Sequence, residues 1–392
     1  MMRAHSQGFS IVELLVSVVV AMLALMFATQ LITGGEQTKQ AALGGSDSMQ
    51  NGMLAMFSIS SDANQAGFGL NDPLLAGCDT TMLDSAGYTL MAGASGSAVH
   101  PLAAAIIENN GTAPDRISFY STGGLMGTGS ARLGGAYTGG AALSLAVQPY
   151  GFLANDVIVV APESGGGKCS LAQLSVLPDL ASSAPTLRFD NTADTRFNGA
   201  ALGGNLFASP GARVFDLGPA TKLAFHTWSV KSGFLQLAAT DMAGSTGANP
   251  ATVADNIVSI KAQYGFDTRA GAAFTPENGT QVTQWSNTMI DADLVGGAGS
   301  PGDFQRVVAL RVAVVARSKA PERPAAGAAC SATTTAPTLF GVVQPQNVAA
   351  VPVTVNLAVA GDTIDWKCYR YRVFETIVPI RNSAWRPTAW PF

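Results

Sequence analysis

One carboxylate is placed where it could do chemistry. Glu13 is the sole charge in an apolar run over residues 9–32. A charge in a bilayer core costs roughly 2.5–3.5 kcal/mol on insertion scales, so an acid kept there is expected to meet a cation. Other reactive types are sparse. Four cysteines, Cys78, Cys169, Cys330 and Cys368, all follow the run. They permit three pairings. Proximity in sequence favours Cys78 with Cys169 and Cys330 with Cys368, with buried thiols as the alternative. His5, His100 and His226 are isolated, and no Cys-x-x-Cys or His-x-x-x-His spacing marks a zinc site. Gly165-Gly166-Gly167-Lys168 approaches a phosphate loop, but Pro162 and Cys169 stand where the motif needs glycine and a hydroxyl. Asp291 and Asp293 read as a solvated turn, with cation binding the rarer alternative. No Gly-x-Ser-x-Gly elbow occurs. The expectation is a protein with no catalytic residue, no metal and no cofactor.

The elements around Glu13 begin with that apolar run. At 1.5 Å per residue its 24 residues cross a bilayer core of about 30 Å. A cleaved secretory signal would need a small-residue site after the run, and none follows cleanly. A plain membrane anchor would account for the hydrophobicity and for Arg3 on the cytoplasmic side. It would not account for Glu13. The helix is expected to continue to Gly67 or Gly69, since glycine takes the left-handed C-cap. Gly34-Gly35 and Gly44-Gly45 are weak points, each glycine costing about 1 kcal/mol against alanine. Met49, Met53, Met56, Ser60 and Ala63 recur at helical spacing, with Leu54 and Phe57 beside them, and are read as the packing face.

Beyond the helix the signals are β. Short runs at 116–121, 156–161, 186–189, 212–217, 221–230 and 234–238 are bounded by turn residues. The longest candidates are 257–266, 307–316 and 369–380. The near-continuous apolar run 307–316 reads as a central strand covered on both faces, one of them by the helix. Linkers are expected at 296–302 and 320–329, the second opening a surface excursion before the last strand. Residues 71–255 are punctuated by glycine pairs and read as loops between short strands, with an adhesive glycine-rich surface as the alternative. The chain has 392 residues, 12% charged, with net charge −4. That gives no basic footprint for nucleic acid. Trp385 and Trp390, with Pro387 and Pro391, form an aromatic tail that docks on a neighbour or folds back onto the sheet.

Gly8-Phe9-Ser10-Ile11-Val12-Glu13, opening the apolar run, resembles the class III signal of type IV prepilins. The resemblance narrows towards PilW-type minor pilins at Asn51-Gly52 and Ala66-Gly67-Phe68. It does so again at Tyr264-Gly265-Phe266-Asp267, Trp285-Ser286-Asn287, Ala316-Arg317-Ser318 and the final stretch from Arg372-Val373-Phe374 to Arg381-Asn382. It covers 1–70 and 255–382 and is thin between. Two departures stand out: Asn64-Gln65 replace charged residues, and Arg269-Ala270-Gly271 replace an acidic turn, which argues against a calcium loop.

The resemblance implies an α+β pilin fold, with a long N-terminal transmembrane and amphipathic helix packed on an antiparallel sheet and a β-rich, loop-rich insertion. It implies a leader at 1–8, a transmembrane helix at 9–32, an amphipathic half at 33–69 and a globular domain at 70–392 with a weak internal boundary near 255. Prepilin peptidase would cut between Gly8 and Phe9, and Phe9 would be N-methylated. Glu13 would then neutralise a neighbouring subunit's terminal amine. The implied partners are other minor pilins, the major pilin, the inner-membrane assembly platform and a tip adhesin. The implied place is the inner membrane with the head in the periplasm, then the pilus on the cell surface. A J-type pseudopilin of type II secretion and a pilus-borne adhesive module are the alternatives.

Overall fold

In the computed structural model the described residues are 10–123, 129–164, 167–199, 201–271, 273–275, 278–324 and 327–382. Side chains at 33, 34, 36–38 and 40–43 are not included. The expected Gly8–Phe9 junction, the Gly165-Gly166 pair and the aromatic tail lie outside the described residues.

A single 55-residue helix, α1 (Ile11–Gln65), runs without a break. Its start is capped by Ser10, whose Oγ accepts from the Val12 N–H at 3.3 Å. Its end is fixed by Gly67 at φ +80°, past the C-cap Ala66. The Gly67 N–H turns to the Tyr120 carbonyl at 2.8 Å, and a Cβ there would lie 2.7 Å from the Asn382 carbonyl oxygen. The expected glycine weak points do not interrupt the helix. At Gly44 the reason is space, since a Cβ would come within 3.1 Å of the Ser318 Cβ.

Strands are numbered in chain order. The sheet against α1 has four: β15 (Gln284–Ser286), β14 (Ile257–Phe266), β16 (Val307–Arg317) and β19 (Tyr371–Pro379), in that lateral order and all antiparallel. A second sheet runs β13 (Ala251–Asp255), β12 (Phe234–Ala239), β11 (Ala224–Lys231), β4 (Arg116–Ser121), β3 (Ala105–Glu108). A third has six strands: β2 (Pro101–Leu102), β1 (Cys78–Thr81), β8 (Cys169–Gln173), β7 (Asp156–Pro162), β10 (Ala212–Pro219) and β5 (Ser130–Arg132). Its β1–β8 pair is parallel. Two ribbons complete the set, β6 (Ala142–Ser144) with β9 (Thr186–Arg188), and β17 (Thr338–Leu339) with β18 (Val353–Thr354). This is the expected α+β architecture.

Side-chain alternation stacks the sheets. On β4, Ile117 and Phe119 face a core shared with α1 and the four-stranded sheet, while Tyr120 faces the six-stranded one. On β7, Val157 and Val159 look towards the five-stranded sheet, and Ile158 and Val160 towards the β6–β9 ribbon. The first core holds Leu235 and Leu237 of β12 together with Ile257 and Ile260 of β14, so residue 255 is a strand junction inside one core. The middle region, read as loops between short strands, builds two further cores of its own. Its longer strands, β4, β7, β10, β11 and β12, fall where expected, while strands such as Pro101–Leu102 and Ser130–Arg132 are too short to announce themselves and cohere through tertiary contacts.

The central strand β16 is buried on both faces, as expected. Leu310, Val312 and Val314 join the core that α1 enters. Ala313 and Val315 are covered by Leu339, Phe340, Val355 and Leu357 of the excursion between β16 and β19. The Cys330–Cys368 disulfide closes that excursion, and Cys78–Cys169 joins β1 to β8, so both expected pairings are present. The linker expected at 296–302 instead leads into a short helix, α2 (Pro301–Gln305), started by a Ser300–Asp303 capping box.

Candidate assembly interface

Among the described residues, none packs against the first half of α1. Over Ile11–Ile32 every side chain is exposed, and the span is apolar enough to cross a membrane. Glu13 sits in its first turn. The few hydroxyls are quieted locally: Ser17 donates to the Leu14 carbonyl and Thr29 to the Met26 carbonyl, each at 2.9 Å.

The second half meets the sheet through small residues. Gly44, Ser48, Gly52, Ala55, Ile59, Ala63 and Ala66 are all buried, at intervals of four and three that keep one face turned to the sheet. A Cβ on Gly52 would overlap the Phe374 ring of β19. The stripe expected to pack is therefore displaced. Met49, Met53, Leu54 and Phe57 are exposed, Phe57 at 73%, while Met56 is half-buried and Ala63 fully buried. Large side chains at the seam would hold the helix off the strands, so size as well as polarity decides which face docks. Glycine, serine and alanine at seam spacing were the signal that periodicity of large apolar residues concealed.

The family-like stretches meet one another. The Cβ-less backbone of Gly265 lies opposite Trp285, whose ring would sit 2.7 Å from an added Cβ. The Tyr264 hydroxyl accepts from the Ile107 N–H at 2.5 Å, joining the four- and five-stranded sheets. Asn382 Nδ2 donates to the Ala66 carbonyl at 3.2 Å, so the end of the last strand satisfies the end of the helix. Arg317 stacks on the Tyr369 ring, 4.2 Å from its centroid, and Ser318 lies under Gly44. Asp267 is gripped by Arg269 through Nε at 2.8 Å and Nη2 at 2.6 Å. Burial pushes the Asp267 carboxyl up, but the Arg269 bonds outweigh this and hold it below the usual range.

Reactive side chains elsewhere are engaged in structure. Lys168 pairs with Asp79 at 3.4 Å. Buried Lys261 donates to the Gly111 and Ala113 carbonyls and to Asp115, bolting the loop after β3 to β14. Asp291, Asp293 and Asp303 bring carboxylate oxygens within 4.8 Å of one another. Asp303 spends both oxygens on the backbone N–H groups of Ala292, Asp293, Gly299 and Ser300, which makes it a loop brace.

A bare apolar half-helix continuous with a half docked on an antiparallel sheet is the arrangement that the resemblance to type IV pilins implies. Residues 229–382, from within β11 to beyond β19, match the family model described as Type IV Pilus-assembly protein W. That match spans the strands from β11 to β19 and leaves α1 and the six-stranded sheet outside it. No curated protein matches the chain. Among solved structures it is similar to a type IV-like pilin from Thermus thermophilus at 14% identity, over 59% of this chain and 87% of that one, with a TM-score of 0.22. A superposition that loose carries no weight here.

Proposed function

We propose that this chain is a minor pilin of the type IV pilus, a non-enzymatic subunit that helps prime assembly and sits at or near the tip. The supporting observation is the length of the bare face on α1. The span Ile11–Ile32 is about 33 Å long, enough for a bilayer core of about 30 Å. Exposed apolar side chains occur again beyond it at Met49, Met53 and Phe57. These residues lie roughly 25 Å and more past the end of the span, at 1.5 Å per residue, where no hydrocarbon reaches them. The head covers the opposite side. The helix of another pilin subunit fits that uncovered stripe.

Glu13 supports the same reading. Cleavage between Gly8 and Phe9 would create a terminal amine, methylated on Phe9, and make Glu13 the fifth residue of the mature chain. A neighbour's amine then neutralises Glu13, and in a low-dielectric setting such pairing is far stronger than in water. In this reading the chain waits in the inner membrane with residues 70–392 on the periplasmic side. Prepilin peptidase, the assembly platform, other minor pilins and the major pilin act on or beside α1, and the pilus carries the chain to the cell surface. A head of more than 300 residues suits a low-copy place at the tip better than a close-packed shaft, and a tip adhesin is a further partner.

Deletion of the gene in its host, scoring surface pili and type II exoprotein release together, tests the role. Loss of pili with secretion intact is expected. Loss of secretion with pili intact would make the chain a J-type pseudopilin. A Glu13→Gln variant is expected to reach the membrane normally and to fall at least tenfold in sheared pili, read by immunoblot of both fractions.

A further inference from the structure

The last turn of α1 holds a carboxylate where a helix end disfavours one. Asp62 lies three residues before the end at Gln65, and that turn has no basic residue. Compensation comes from β11. His226 Nδ1 lies 2.8 Å from Asp62 Oδ2, and Trp228 Nε1 donates to the same oxygen at 2.7 Å. The other ring nitrogen, Nε2, lies 2.8 Å from Oδ1 of Asp241, just past β12. A neutral imidazole has a single N–H, so it can serve one of these acids while turning a lone pair to the other. Only the imidazolium satisfies both.

We propose that His226 is a proton-dependent latch that ties the end of the anchor helix to the head through Asp62 and, through Asp241, to the loop leaving β12. Loss of the proton releases the Asp241 arm first. Asp62 keeps the Trp228 N–H, whereas the Asp241 side chain is the more exposed of the two acids and water can replace the imidazole there. The released loop begins at Thr240, whose carbonyl accepts from Arg196 and whose hydroxyl accepts from the Phe225 N–H at 2.9 Å.

The charged groups facing the ring are Asp62 from α1 and Asp241 from the β12 exit, with Lys222, ahead of β11, acting on Asp241. Burial pushes the His226 imidazole down, and the two carboxylates outweigh it and raise the pKa to about 9. Because the folded value is raised, the latch's stabilisation is complete below the ordinary histidine value of about 6.5 and is lost as pH climbs through about 9. On the acid side, burial raises the Asp241 carboxyl, but His226 holds it lower than usual, so that arm survives mild acid.

The test uses the full chain in detergent micelles with labelled histidine, His226 being assigned with His5→Gln and His100→Gln variants. Its ring is expected to titrate near pH 9, and Asp241→Asn is expected to shift that midpoint down by more than a pH unit. The melting temperature should fall between pH 7 and 9.5 in the wild type and stay level in His226→Gln, the two meeting at pH 9.5. A midpoint at or below 6.5, or parallel melting profiles, would overturn the latch. The wild-type titration decides the matter even if His226→Gln fails to fold.

Discussion

The two halves of α1 use opposite side chains for opposite ends. The bare half, Ile11–Ile32, carries leucine, valine, methionine and phenylalanine, all exposed among the described residues. The docked half presents mainly glycine, serine and alanine to the sheet and turns Met49, Met53, Leu54 and Phe57 outward. Among the described side chains of the docked half, the large apolar ones apart from Met56 and Ile59 are left bare, and small ones line most of the surface already taken. A seam of small residues lets helix and strands approach closely, and the sheet supplies the bulk through Phe374, Leu310 and Val312. The same rule explains why a reading by hydrophobic periodicity alone put Met49, Met53, Leu54 and Phe57 on the packing face along with Met56 and Ala63, which do pack.

Breaking the docked half should have the largest effect. Among the described residues, Ile59 is the one large side chain fully buried on the seam. Ile59→Ala is expected to lower stability by about 3 kcal/mol, the middle of the range for buried aliphatic truncation. Denaturant unfolding of the full chain in micelles checks this; a loss under 1 kcal/mol would mean the helix is not held by this core. Next comes Gly52→Leu, which fills space occupied by the Phe374 ring. Overpacking should cost about 2 kcal/mol, and part of it should return when Phe374→Ala is added, because the two substitutions share one volume. A double variant no better than the sum of the singles would reject that packing argument.

The four-stranded sheet was legible because each of its long strands carries its own evidence. In Val307–Arg317 the apolar run is continuous, and its reading as a doubly covered central strand matches Leu310 and Ala313 lying in different cores. The expected strand at 257–266 coincides with β14, and the expected hairpin at 221–238 with β11 and β12. The outer sheet was legible only in its longer strands, the expected 156–161 and 212–217 coinciding with β7 and β10. Strands such as Pro101–Leu102 and Ser130–Arg132 have two or three residues, and pairings such as β1 with β8 join residues about 90 apart. No local period encodes such contacts. At the assembly interface, Glu13 was visible because a charge in an apolar run is conspicuous. Gly52 and Ala63 were not assigned together as a seam, since small residues give little hydrophobic signal. Asp62 and His226 lie 164 residues apart in sequence, and only the fold brings them together.

The smallest effect on folding should fall on the outward stripe, and it separates the two faces most sharply. Phe57 is 73% exposed, so Phe57→Ser removes little buried area and should change stability by no more than about 0.5 kcal/mol. Paired with Met53→Ser, it still leaves Ala55, Ile59 and Ala63 in place on the seam. If the stripe serves a neighbouring helix, the double variant should unfold like the wild type yet be depleted several-fold from sheared pili, with its amount in the membrane unchanged. Immunoblots of the two fractions, alongside the denaturant curve, read both quantities. Normal incorporation would show that the stripe carries no subunit and would leave Glu13 alone as the assembly determinant. A fall in stability instead would return these side chains to the packing face, and the division of α1 into a taken side and an offered side would be wrong.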